Sequence, residues 1–307
     1  MELLDFFSHG FIQRALIAGS FIAVLCSTLG VFLVLRRLPL IGDGLAHVTF
    51  GSVAVGLLLR VYPMYVAAPL VMLSSLGIMK LTERTKIYGD TAIAIVSSIG
   101  ISGGILLASA AGGFNIDLFS YLFGNILAIG SAEVVSSIVL SVILIMTIAA
   151  FYHDMLSVTL DEESARAAGI KVGAMNMILV LTTALTVVLA MRVVGIMLIS
   201  ALLVLPAVTA LQMGKGFKAT IVIAGAVGVF SVVFGTVISF LADIPTGATI
   251  VLLSFTMFLG VFLWNNVTFS KYYKRLMLTM APTDIIFSSK INSPEEGASY
   301  GKKSNRD

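Results

Sequence analysis

Long apolar runs alternate along the chain with short polar interruptions, and the runs have the length of membrane spans. A helix that crosses the hydrocarbon layer needs about 20 predominantly apolar residues. Runs of that kind cover residues 12–35, 41–59, 62–81, 91–112, 131–152, 173–191, 195–213, 217–241 and 247–266. They predict an all-α, polytopic transmembrane bundle of about 8–9 spans. Arg192 alone separates the sixth run from the seventh. Residues 114–130, FNIDLFSYLFGNILAIG, are too short and too polar to cross twice. They predict a re-entrant or interfacial piece, which is tolerable at membrane depth only when covered by protein. After Trp264 the pattern ends, and SSKINSPEEGASYGKKSNRD has the composition of a disordered segment. The reading is a transmembrane domain over 1–267 followed by a cytoplasmic tail over 268–307.

Composition agrees with the pattern. Of 307 residues, 58% are hydrophobic and 11% charged, and the mean hydropathy is +1.05. Soluble domains are about 45–50% apolar and about 25% charged, so a soluble enzyme is excluded. The single cysteine, Cys26, lies inside an apolar run and has no intrachain partner. The first ten residues carry Glu2 and Asp5 and no Lys or Arg, so a cleavable signal peptide is not expected. Lys and Arg set the orientation, because short cytoplasmic loops hold the excess. With the first residue outside, only Arg14, Arg60 and Arg192 of the 19 cations lie outside. The net charge of +3 then belongs to a cytoplasmic face and does not call for a nucleic acid. Among the 28 glycines, Gly100 and Gly104 make a small-xxx-small pair suited to close helix approach in lipid.

Candidate chemistry sits at a few places. In RRLPLIGDGLAHVTFGSVAVG, Asp43 and His47 are four residues apart, on one helix face. Ionisable groups inside a span cost about 2.5–3.5 kcal/mol each on insertion scales, so they are paired or used. A carboxylate with an imidazole suits zinc, manganese or iron. The same pair would serve a proton relay, or Asp43 would merely cap a helix near Arg37. In SVTLDEESARAAGIKVG, Thr159 followed by Glu162 fits a capping box and Gly169 a helix stop. The prediction is a short cytoplasmic helix over about 160–168, either a solvated connection or a docking element for a soluble partner. Pro206, inside RVVGIMLISALLVLPAVTA, predicts a kink. ADIPTGATIVLL reads as an outer turn opening the last span. No phosphate-binding G-x-x-x-x-G-K-[ST] and no H-E-x-x-H is present, so the chain lacks those routes to ATP or bond hydrolysis.

Five of these stretches, in order, resemble the membrane permease subunit of bacterial ABC importers for zinc, manganese and iron. They are LIGDGLAHVTFGSVAVG, YLFGNIL, LDEESARAAGI, VVGIMLISALLVLPAVTA and DIPTGATIVLL, and they cover most of residues 11–265. Ala46 departs mildly from a position that is often Ser in the family, and the tail has no counterpart in it. The resemblance implies a multi-pass protein of the bacterial plasma membrane, with Asp43 and His47 on the metal pathway. It implies that the helix carrying Thr159, Leu160, Asp161, Glu162, Glu163, Ala165, Arg166, Ala168 and Gly169 docks an ATPase and acts as the coupling helix. It further implies a second permease subunit, two cytoplasmic ATPase subunits and an extracytoplasmic metal-binding protein. The chain would then be no enzyme by itself, and its only metal would be the transported ion. Two rivals remain at this level: a proton-coupled secondary transporter, and an ABC permease for a metal chelate such as a siderophore.

Overall fold

The computed structural model describes residues 10–85, 87–110, 121–122, 124, 130–191 and 195–280. Among these the chain forms only helices. They are α1 (Gly10–Leu35), α2 (Ile41–Leu58), α3 (Pro63–Thr85), α4 (Gly89–Ala110), α5 (Ser131–Ala150), α6 (Tyr152–Leu160), α7 (Glu162–Ala167), α8 (Val172–Ala190), α9 (Ile199–Leu211), α10 (Phe217–Ala242) and α11 (Thr246–Met280). A 3-10 turn, Ile196–Leu198, precedes α9. Two compact units are present, Met1–Phe262 and Leu263–Asp307, and the packing below is that of the first. Most of the expected re-entrant stretch at 114–130, the Arg192 break point and tail residues 281–307 lie outside the described residues.

Among the described residues, eight helices are long and apolar enough to cross a membrane. The seventh predicted run, 195–213, does not form one continuous span. Gly195 adopts φ 91, which a helix cannot contain, so regular helix starts only at Ile199. The 13 residues of α9 reach about 20 Å, short of the roughly 30 Å hydrocarbon layer. Pro206 lies inside this short helix and leaves the Leu202 carbonyl without its usual i+4 donor.

Burial separates an inner group of helices from an outer one. The spans of α1 and α2 are each 67% buried and that of α8 is 61%, against 22% for α3 and α4. The outer helices therefore present apolar faces to lipid, and α2 runs through the middle of the bundle. It packs on α3 and α4, while α1 packs on α5, α9 and α10. Small residues permit the close approaches. A Cβ on Gly51 would lie 2.6 Å from the carbonyl oxygen of Gly100, and one on Gly104 would strike the Phe50 ring at 2.5 Å. The pair noted in the sequence thus joins α4 to α2. Similarly, Gly30 of α1 lies directly against the Leu203 carbonyl of α9.

Several buried threonine hydroxyls are satisfied within their own helices. Thr49, Thr183, Thr186 and Thr236 each donate to the carbonyl four residues back at 2.7 Å. That removes the cost of an unpaired hydroxyl in an apolar interior, which is about 1–3 kcal/mol.

Candidate metal site and docking helix

Asp43 and His47 lie in the first two turns of α2, in the middle of the bundle. From Ile41 to Ala54 only Asp43, His47 and Gly51 escape burial. The residue before the helix, Leu40, makes no side-chain cap, and α2 has no capping hydrogen bond from Asp43. The Asp43 carboxylate turns instead toward two side chains. His47 Nε2 stands 3.5 Å from Asp43 Oδ2, and Ser200 Oγ donates to Asp43 Oδ1 at 3.3 Å. The His47 side chain is 23% exposed and that of Asp43 51%. Two ligands each about 2.1 Å from a tetrahedral ion stand roughly 3.4 Å apart. The observed spacing therefore leaves room for one ion between carboxylate and imidazole with little adjustment.

Ser200 was not singled out by the sequence reading. It is the second residue of α9, just past the 3-10 turn. The break at Gly195 is what starts α9 at a level where Ser200 meets Asp43. The available signal was a glycine followed by a serine six positions before Pro206, but nothing in one sequence says which earlier span that serine faces. Among the described residues, no group of three or more His, Cys, Asp or Glu side chains could hold a metal. One chain thus offers one carboxylate, one imidazole and one hydroxyl.

The second predicted site forms a separate structure. The polar stretch folds as α6, a bend at Asp161 and α7. The predicted capping box does not form. Thr159 lies inside α6, where its Oγ1 donates to the Met155 carbonyl at 2.6 Å. Asp161 is the cap, its Oδ1 accepting from the backbone N–H of Glu163 at 3.0 Å and of Ser164 at 3.2 Å. The Ser164 hydroxyl donates to the other carboxylate oxygen at 2.5 Å. These hydrogen bonds, that from the Ser164 side chain foremost, hold the Asp161 carboxyl below its ordinary range.

The predicted stop does form. Gly169 takes φ 86, with Gly169 N–H donating to Arg166 O and Ile170 N–H to Ala165 O, both at 3.1 Å. This is a Schellman closure. Ala168 is the residue that ends the helix. Ala165 is buried and anchors α7. Leu160, Glu162, Glu163 and Arg166 are exposed, and Leu160 keeps 70% of its surface open. The result is a short, doubly capped helix that presents charge outward, with the exposed Leu160 at the end of α6 just before it.

Residues 8–265 match the model of the ABC 3 transport family. The chain belongs to that family. The chain is 32% identical over 266 residues to the manganese transport system membrane protein MntC of Listeria innocua, covering 86% of this chain and 95% of that one. It is 30% identical to the high-affinity zinc uptake system membrane protein ZnuB of Haemophilus influenzae, covering 80% and 94%. Among solved structures it resembles PsaBC from Streptococcus pneumoniae in complex with Fab. The TM-score is 0.77 at 30% identity, covering 85% of this chain and 95% of that one. The resemblance carried by the five stretches is borne out: this ABC 3 family member is a multi-pass transport permease of the bacterial plasma membrane.

Proposed function

We propose that this ABC 3 permease is the membrane subunit of an ATP-driven importer for a divalent transition-metal ion. The named cargoes of its relatives are manganese and zinc, and ferrous iron fits the same donors. The observation that carries the reading is the Asp43–His47 pair, 3.5 Å apart on the one accessible strip of an otherwise buried helix. One carboxylate and one imidazole underfill a four-coordinate ion. A second copy of the chain, facing the first across the pathway, would supply the other pair. The ion is cargo, so the site must bind and release it, and two weakly restrained chains suit that better than a closed cage. ATP hydrolysis would come from separate cytoplasmic subunits docked on α7, and an extracytoplasmic binding protein would deliver the ion.

The test is uptake of radioactive manganese or zinc by vesicles holding the permease with its co-purifying ATPase. Uptake should require ATP, and Asp43→Ala and His47→Ala should each abolish it while assembly and basal hydrolysis persist. Uptake driven by a proton gradient without the ATPase would instead establish the secondary transporter. Robust ATP hydrolysis by the permease alone would also overturn the reading.

A further inference from the structure

Arg36 and Glu162 connect two elements that the proposed function gives different tasks. Arg36 follows α1 and opens the turn into α2, the helix of Asp43 and His47. Glu162 is the first residue of α7. Arg36 Nη2 lies 3.7 Å from Glu162 Oε2, with the arginine side chain 12% exposed and the glutamate 46%. Beside them is a cavity of about 390 Å³, bordered by Ile41 of α2, Ile93 of α4, Asn176 and Leu179 of α8, and Glu162 itself.

The cavity determines what can link the two helices. Where side chains interlock at core density, a displacement passes by contact. Here the start of α7 and the start of α2 border the same open volume, so contact carries little. A charge pair still acts across a gap, because Coulomb attraction falls only as the inverse of distance. Both partners are firmly mounted. Glu162 Oε1 also receives Arg166 Nη2 of its own helix at 3.3 Å. On the other side the turn is closed by Arg37 N–H to Val34 O at 3.1 Å and Leu38 N–H to Leu33 O at 2.9 Å, with Arg37 at φ 58. A pull on Arg36 therefore moves a fixed turn, and Ile41 begins α2 five residues later. Burial lowers the Arg36 pKa while Glu162 opposes that shift, so Glu162 stabilises the charge of a guanidinium with little access to water.

We propose that the Arg36–Glu162 ion pair is a strut that transmits motion of the docking helix α7 to the metal-bearing helix α2. Arg36 is then a positioning residue that touches neither the ion nor the ATPase. The inference rests on the permease reading above. It makes loss of the pair an uncoupling event: ATP is still hydrolysed, but less metal crosses per ATP.

The test uses the whole complex in vesicles and reads metal taken up per ATP hydrolysed. Arg36→Gln should lower that ratio about fivefold or more, the lower bound of an ordinary coupling between sites, with basal hydrolysis and ATPase co-purification unchanged. Arg36→Lys keeps the charge and should retain most of the ratio. Arg36→Gln combined with Glu162→Gln should lose no more than Glu162→Gln alone. An unchanged ratio in Arg36→Gln overturns the strut, as does a double variant whose loss is the product of the two single losses. Loss of ATPase co-purification in Arg36→Gln overturns it as well, because the arginine would then be merely structural. A wild-type complex that takes up no metal removes the permease reading, and the strut with it.

Discussion

A Cβ on Gly100 would lie 2.9 Å from the carbonyl oxygen of His47 and 2.7 Å from the Cα of Val48. α4 therefore holds α2, the helix of Asp43 and His47, by backbone contact at the level of His47. Gly100→Ala already forces the two helices apart, and overpacking of this kind costs about 1–3 kcal/mol. The expected result is a displaced His47 and reduced metal uptake. Gly103→Ala on the same helix, where nothing lies within 4 Å of the added methyl, should leave uptake intact. Equal uptake by the two variants would mean that α4 does not position the site.

Asp43→Asn separates a ligand from a polar space-filler. Asparagine keeps the shape and can still accept from Ser200, but it carries no charge. Uptake should be lost while assembly survives. Ser200→Ala removes the hydroxyl that orients the carboxylate. Such supporting groups typically cost 10–100-fold in metal affinity or activity, and a loss of about tenfold in apparent affinity is expected. Full uptake by Asp43→Asn would return Asp43 to a structural role.

The proposed docking role of α7 depends on the helix's two ends. Gly169 at φ 86 closes α7, and a bulky residue there costs about 1–2 kcal/mol. Gly169→Val, or Glu163→Gln with Arg166→Gln, should uncouple hydrolysis from uptake. Insertion in the membrane should be unaffected. Normal transport by these variants would make α7 a solvated connection only.

Asp161, rather than Thr159, should govern the start of that helix. Asp161→Ala should speed amide exchange at Glu163 and Ser164, and Thr159→Ala should not. The pH dependence follows from the lowered carboxyl. A depressed pKa stabilises the fold above the unfolded value of about 3.9, and that contribution is lost as pH falls through the lower folded value. Protection of the two amides should accordingly be full at neutral pH and decline only below about pH 4.

The parts of this molecule legible in the sequence were the local ones. Hydropathy located the eight long helices because each is a continuous apolar run. Asp43 and His47 stood out because their spacing puts both on one face of a single helix. The short helix α7 is placed nearly to the residue because Gly169 marks its end. What was missed depends on neighbours. The cap passed from Thr159 to Asp161 because α6 runs on through Leu160 and occupies the Thr159 hydroxyl internally. The seventh run loses regular helix at Gly195, whose apolar surroundings give no hint of a positive φ. Ser200 and Glu162 gained their roles by meeting Asp43 and Arg36 from distant parts of the chain, and such pairings leave no local pattern.

The depth of Asp43 has an electrical consequence. It lies about 3 Å along the axis from the start of α2 and about 22 Å from Leu58. The charge rule, with Arg36 and Arg37 just before α2, predicts that the near end is the inner one. On the proposed import path, an ion that reaches Asp43 from outside has thus crossed most of the membrane voltage. At 100 mV, negative inside, a divalent ion gains about 4 kcal/mol on that path. On the proposed import reading, the resting potential favours loading of the site from outside and opposes back-leak. Metal entry into vesicles should accordingly steepen with an imposed inside-negative potential and weaken when the potential is clamped at zero.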